Sequence, residues 1–327
     1  DVVRVPRFED AEVKRAQSEQ LAAIARSRDE PAGLIREHFM KTLLEGHRYG
    51  TPMMGTEKSV SSLNGDDLRT FYDRVFNARS AVLFASGDFE PEQLHKDLEA
   101  AFGDWREGAL APGVEATPAR FPEAQRIVVV DRPELGQSRI MLGHEGMSRS
   151  DERRVVNGIM NGIYGGNGFS SRLMQKIRSD EGLTYGVYSG TAMRRQPGAF
   201  QISTFTRVPE TRRVVDLILE GMRGMQENPP DDEAVRKAKG YESGRFALGL
   251  ETTGAVLSGL VDLEIQDLPE NSLDTYRPRV RALTTEDVAE EARRYMHPDR
   301  MGIVIVGPAS KLVPQLESLG DVEVIDP

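Results

Sequence analysis

Apolar positions recur at helical spacing through most of the chain, interrupted by short continuous apolar runs. The 3.6-residue period predicts a helix over 9–28, with Val13, Ala16 and Leu21 to Ile24 inward. A second helix is predicted over 31–45, with Pro31 in its first turn and Leu34, Phe39, Leu43 and Leu44 forming its apolar face. The Gly-, Pro-, Thr- and Ser-rich stretch 46–63 predicts a loop. Further helices are expected over 66–77, 90–102, 151–163, 171–178, 209–226, 232–248, 252–262, 285–296 and 311–316. Strands are expected over 80–86, 126–130, 138–143, 184–191, 199–206 and 302–306.

Two of these stretches echo each other. Leu63-Asn64-Gly65-Asp66-Asp67-Leu68 aligns with Leu283-Thr284-Thr285-Glu286-Asp287-Val288, and Leu83 to Gly87 aligns without a gap with Ile303 to Gly307. Both alignments hold at one offset of 220 residues. Each copy reads as capped helix, buried strand, glycine and helix start. Any two helix-strand units share some features, but agreement of cap, strand and glycine at one offset predicts a duplicated domain. The second copy begins near Phe121, so roughly 100 residues of the first copy would be expected before Asp1.

Composition narrows the class. The chain has 327 residues, 39% of them apolar and 29% charged, as expected of a globular protein of about two domains. A net charge of −10 disfavours nucleic acid and anionic membranes as partners. The absence of cysteine excludes disulfides and thiolate metal sites. No apolar run approaches the ~20 residues of a membrane span. The chain starts at Asp1 and carries no signal peptide, so a processed or truncated start is expected, with periplasm and cytoplasm both open.

Candidate chemistry concentrates in Gly162-Ile163-Tyr164-Gly165-Gly166-Asn167-Gly168-Phe169-Ser170-Ser171, which enters a helix ending near Gly182. Ser170 or Ser171 suits the helix N-cap and Gly182 a left-handed stop. The loop lacks Gly-Lys-Ser/Thr and follows a helix, so it fits neither a P-loop nor a dinucleotide fingerprint and predicts a close-packed turn. Arg178, in the last helical turn, and Tyr185, early in the next strand, would form a donor pair suited to a peptide carbonyl. On spacing alone, a solvated helix-end arginine and a core aromatic weigh more. The five histidines show no H-E-x-x-H or H-x-x-E-H spacing. Leu34-Ile35-Arg36-Glu37-His38 comes near, with a leucine in the first ligand position, and reads as chance; His144-Glu145 is a lesser candidate.

Gly162 to Gly186 resembles the C-terminal domain of the insulinase/pitrilysin family of H-x-x-E-H zinc metallopeptidases, which includes mitochondrial processing peptidase. Asp29-Glu30-Pro31, Gly46-His47-Arg48-Tyr49-Gly50-Thr51-Pro52 through Gly55-Thr56, Val82 to Asp88 and Phe102-Gly103-Asp104-Trp105 resemble the same family's N-terminal domain after its zinc helix. The resemblance implies an α+β fold of two duplicated lobes, each a mainly antiparallel sheet packed with helices, the first incomplete. Residues 1–107 would be the C-terminal part of the zinc-type lobe, 108–122 a linker, and 123–327 the substrate-binding lobe.

By the resemblance, Arg178 and Tyr185 match the family's Arg/Tyr pair, which binds substrate and stabilises the tetrahedral intermediate. That reverses the weight given to them from spacing. The third zinc ligand, a glutamate, would fall on helix 9–28. One register offers Glu12 and Glu19, spaced as the family's glutamate pair; the other, counted back from Ala25 to Asp29 and preferred, places Leu21 there. A leucine resembles the non-catalytic subunits of heteromeric members. The resemblance thus implies a peptide-binding subunit, inactive alone and without its own cofactor. Zinc would lie in a homologous partner or the full-length parent, with homo-oligomerisation the other possibility for assembly. The alternatives are a fragment of an active zinc endopeptidase whose motif lies upstream, and a structural scaffold.

Overall fold

The computed structural model describes residues 2–110 and 119–327. Most of the predicted linker, residues 111–118, therefore lies outside the described residues.

Among the described residues, the continuous apolar runs other than 80–86 join one six-stranded sheet. Its strands are β1 (Arg126–Asp131), β2 (Gln137–Glu145), β3 (Val187–Thr191), β4 (Ala199–Arg207), β5 (Gly302–Gly307) and β6 (Val322–Ile325), in the order β3-β4-β2-β5-β1-β6. β1 pairs in parallel with β5 and β6, whereas β2–β4, β2–β5 and β3–β4 are antiparallel.

The helices are α1 (Asp10–Asp29), α2 (Pro31–Leu43), α3 (Glu57–Ser61), α4 (Gly65–Val75), α5 (Pro91–Phe102), α6 (Arg154–Asn161), α7 (Thr211–Glu227), α8 (Asp232–Leu248), α9 (Thr253–Ile265), α10 (Ser272–Ala282), α11 (Thr285–Tyr295) and α12 (Ala309–Leu316). The fold is α+β. Among the described residues, no single helix is long and apolar enough to cross a membrane.

Both faces of the sheet are covered, which is why its central strands carry unbroken apolar runs. Ile127, Val129, Ile140, Leu142, Ile303 and Ile305 point into a large core with α6, α7, α11 and α12. The alternate residues Val128, Val130, Met141, Val304 and Val306 point the other way, onto Leu34, Ile35, Phe39 and Leu43 of α2. The predicted apolar face of α2 is thus core, Leu34 of the near-match to a zinc motif included. Gly143 and Gly302 stand opposite each other in the β2–β5 register. A Cβ on Gly143 would lie 2.5 Å from the Phe39 ring, and one on Gly302 would lie 2.6 Å from Leu43. The two glycines let α2 lie against the sheet.

The chain divides into two compact units. One holds the described residues within Ser27–Thr51, Thr117–Gly249 and Asp262–Pro327, and contains the sheet and both apolar cores. The other holds those within Asp1–Arg26, Pro52–Ala116 and Leu250–Val261. Among its described residues, the buried apolar side chains are Ile24 and Val60, while Phe71, Phe76, Val82, Leu83 and Phe89 are exposed.

Several expectations are corrected. The strand predicted over 80–86 does not form: a 3₁₀ turn covers Ala78–Ser80, and 81–86 have no ladder partner among the described residues. An apolar run becomes a strand only when neighbours satisfy its backbone. The expected pair of mainly antiparallel sheets is one mixed sheet, because β5 and β6 flank β1 in the parallel sense. The helix caps of the repeat do recur: Asn64 and Asp67 form a capping box, as do Thr284 and Asp287. With no strand in the earlier stretch, the duplication is not shown. The predicted loop over 46–63 contains a 3₁₀ turn at Arg48–Gly50 and α3, whose capping box is Thr56 and Ser59. Helix α10, with Pro278 inside it, and strand β6 add to the elements expected from the sequence.

Candidate functional site

The glycine-rich segment forms a tightly packed corner. After α6 the helix widens into a π-type turn at Gly162–Gly166, followed by a 3₁₀ turn at Gly168–Ser170. Gly168 has φ +57°, a left-handed value glycine adopts without penalty. A Cβ on Gly165 would meet the Ser189 hydroxyl at 2.5 Å, so the loop packs directly on β3. Asn161 Nδ2 donates to the Ser189 carbonyl, and the Ser189 hydroxyl donates to Asn161 Oδ1 at 2.6 Å. The close-packed turn expected from the sequence is what forms. Of the two predicted caps, Ser171 is the one used: its hydroxyl accepts from Met174 N–H and donates to the Gly168 carbonyl at 2.7 Å.

The next helix is also of π type, at Met174–Asp180, and Gly182 ends it with φ +64°. Gly182 N–H donates to the Arg178 carbonyl, and Leu183 N–H to that of Ile177. The chain then turns toward β3, fastened by threonines of β4. The Thr206 hydroxyl donates to the Leu183 carbonyl at 2.7 Å, and the Thr204 hydroxyl lies 2.9 Å from the Gly186 carbonyl. Tyr185 therefore lies in the bend before β3, not within the strand expected over 184–191.

This local fold brings Arg178 and Tyr185 together. The guanidinium carbon lies 4.4 Å from the centroid of the Tyr185 ring and 4.3 Å from that of Phe169. The guanidinium is thus held between two aromatic rings, a cation–π arrangement that fixes its position without using its N–H donors. Among the described residues the Arg178 guanidinium forms no hydrogen bond or ion pair. Tyr185 is 74% exposed and Phe169 66%, so the core-aromatic reading of Tyr185 does not hold. Chemically, the trio presents a planar fork of donors beside a phenol, suited to a carbonyl, carboxylate or developing oxyanion. The contact of Phe169 with Arg178 is not among the expectations from the sequence. Its signal was an aromatic inside a glycine-rich loop, where no apolar face required one.

The candidate metal residues are arranged differently. Glu12 and Glu19 on α1 are exposed, and Arg15 between them bonds both, at 2.7 Å each. Among the described residues no three His, Asp or Glu side chains are grouped to hold a metal ion, so the residues present do not fit a zinc site. Leu21 is half-buried on α1. His144, on β2, is buried among Phe200, Tyr295 and His297, and its Nδ1 lies 2.6 Å from the Glu145 carbonyl. Burial pushes its pKa down to about 4, opposed by that bond and assisted by His297.

A family model described as the peptidase M16 inactive domain matches residues 62–241, a span that includes Phe169, Arg178 and Tyr185. The chain belongs to the M16 peptidase family. It is of the inactive-domain type, in agreement with the insulinase/pitrilysin resemblance of the sequence. An uncharacterized zinc protease of Streptomyces coelicolor is 29% identical over 303 residues, which are 92% of this chain and 65% of that protein. The uncharacterized zinc protease YmxG of Bacillus subtilis is 25% identical, over 93% of this chain and 73% of its own. The chain therefore spans about two thirds of the Streptomyces relative's length. Among solved structures, the peptidase M16 inactive domain from Pseudomonas fluorescens superposes with a TM-score of 0.85 at 26% identity, covering 94% of this chain and 73% of that one. A chain of complex III2 from Candida albicans shares the fold with a TM-score of 0.75 at 18% identity, covering 94% and 72%.

Proposed function

We propose that this chain is a non-catalytic M16 subunit that binds an extended peptide and lends Arg178 and Tyr185 to the active site of a zinc-bearing homologous partner. The observation that carries the reading is the Arg178 guanidinium, held between Phe169 and Tyr185 with its donors unspent among the described residues. A residue serving only its helix end would need no such clamp. In this reading Arg178 and Tyr185 hydrogen-bond the peptide carbonyl and the oxyanion formed from it; zinc, held by the partner, would supply the chemistry of water activation. The repeat at offset 220 then reflects two related lobes, 1–107 and 123–327 joined by a linker. Leu21 stands where a ligand glutamate would be.

The test is peptide hydrolysis by the chain together with its copurifying zinc-bearing subunit. Arg178→Ala should lower kcat by about 10²-fold, and Tyr185→Phe by a smaller factor, with the complex intact on gel filtration. Unchanged turnover in both variants would sink the proposal. A second reading, a portion of a parent that is itself a zinc peptidase, is favoured by the names of the curated relatives and by the 65% coverage of the Streptomyces protein. The coding sequence upstream of Asp1 separates the two, since H-x-x-E-H there supports the second. The scaffold reading predicts stable residence in an assembly without proteolytic activity.

A further inference from the structure

Tyr185 borders a second feature. A cavity of about 280 Å³ opens between the first turns of α2 and strands β2 and β4, with Tyr185 and Tyr188 on its remaining side. The register explains its floor: Arg139 pairs with Phe205, Met141 with Ser203 and Gly143 with Gln201, while Tyr188 pairs with Ser203 from the other side. These residues share one face of the sheet. Arg36 of α2 overhangs the same space.

The polar lining is Arg36, Arg139, Tyr185, Tyr188, Gln201, Ser203 and Thr204, and among the described residues no carboxylate lines the cavity. Arg126, Arg132, Arg149 and Arg153 of the same unit each meet an acidic side chain. Among the described residues Arg36 and Arg139 meet none, and the Arg139 guanidinium instead lies 5.3 Å from the Phe205 ring centroid. In a chain of net charge −10, two arginines with no acidic partner among the described residues, over a floor that includes the Gln201 amide and the Ser203 hydroxyl, form a local positive site. The volume lies below the ~300–1,000 Å³ of pockets for drug-sized ligands and suits one side chain.

We propose that this pocket takes the carboxylate of a Glu or Asp side chain in a bound peptide, near the residue whose carbonyl meets Arg178 and Tyr185. The inference rests on the peptide-binding reading, because Tyr185 both stacks on Arg178 and lines the pocket. It makes acidic peptides the preferred class. Each arginine donates charge-assisted hydrogen bonds, and its positive charge favours a carboxylate over a neutral amide of the same shape.

The experiment uses the full chain and a fluorescent, acetylated and amidated Ala/Ser peptide in which one Glu, Gln or Lys is moved along the sequence. Binding is read by fluorescence anisotropy. At one position Glu should bind about 10- to 100-fold tighter than Gln. In the Arg36→Gln/Arg139→Gln double variant that ratio should fall toward one, and in Arg36→Lys/Arg139→Lys it should largely persist. Equal binding of Glu and Gln peptides, or a ratio that survives the glutamine variant, overturns the pocket while leaving peptide binding in place. Absence of binding by every peptide removes the peptide-binding reading and the pocket with it. A gain seen only with free C-terminal carboxylates assigns the cavity to chain ends and also overturns the proposal. Thermal melts of both double variants establish that they are folded.

Discussion

Two side chains show how position, not identity, sets chemistry in this chain. Arg178 is immobilised by stacking, so its donors stay available, whereas Arg15 spends its own on Glu12 and Glu19. His144 is the counterpart among the bases. Its imidazole is buried against Phe200, Tyr295 and His297, and among the described residues its Nε2 has no partner. The folded protein holds it neutral down to about pH 4, against an ordinary value of 6.5. In that interval the unfolded chain binds a proton that the folded chain refuses. Stability is therefore full above about pH 6.5 and falls as pH drops toward 4, by at most about 3 kcal/mol from this residue. The pKa values of His38 and His297 are also lowered, chiefly by burial, and add to the same trend. His144→Phe should make the decline in Tm between pH 6.5 and 4 shallower. An identical slope in wild type and variant would show that His144 is not the group responsible.

At the scale of elements, close approach depends on particular glycines. The facing pair Gly143 and Gly302 admits Phe39 and Leu43 of α2. A Cβ on Gly143 would also lie 2.3 Å from the Phe200 carbonyl, which is backbone and cannot swing aside. Gly143→Ala should cost about 1–3 kcal/mol through overpacking, seen as a lower denaturation midpoint. Gly240, exposed within α8, has nothing within 4 Å of its Cβ position. Gly240→Ala should instead stabilise by about 0.5–1 kcal/mol. Equal effects at the two sites would refute the packing argument. Helices with a capping signal and an apolar face were legible in the sequence: Asn64 and Asp67 mark the start of α4, and Thr284 and Asp287 that of α11. Strands were legible only where partners exist. Ile303 to Val306 and Val82 to Ala85 look alike as text, but the first lies between β1 and β2 and the second has no ladder partner among the described residues.

Across the whole molecule, stability is unevenly distributed. Both apolar cores belong to the unit built around the sheet, and the other unit buries little apolar surface among its described residues. Hydrogen exchange should therefore find the slowest amides in β1, β2, β4 and β5 and much faster exchange in α3, α4 and α5. Uniform protection across these elements would contradict this distribution. The sequence by itself determined most helices and the sheet's central strands, because caps and periodicity are local properties of the chain, and the family through its resemblance in motifs; spacing alone did not single out Arg178 and Tyr185, which that resemblance brought forward. Only the tertiary structure decided that Tyr185 is exposed, that Phe169 completes the clamp, that 80–86 forms no strand and that Arg36 and Arg139 line one cavity. Each of these depends on which distant residues become neighbours. Arg36 and Arg139 are separated by more than a hundred residues, and only the packing of α2 on the sheet brings them together.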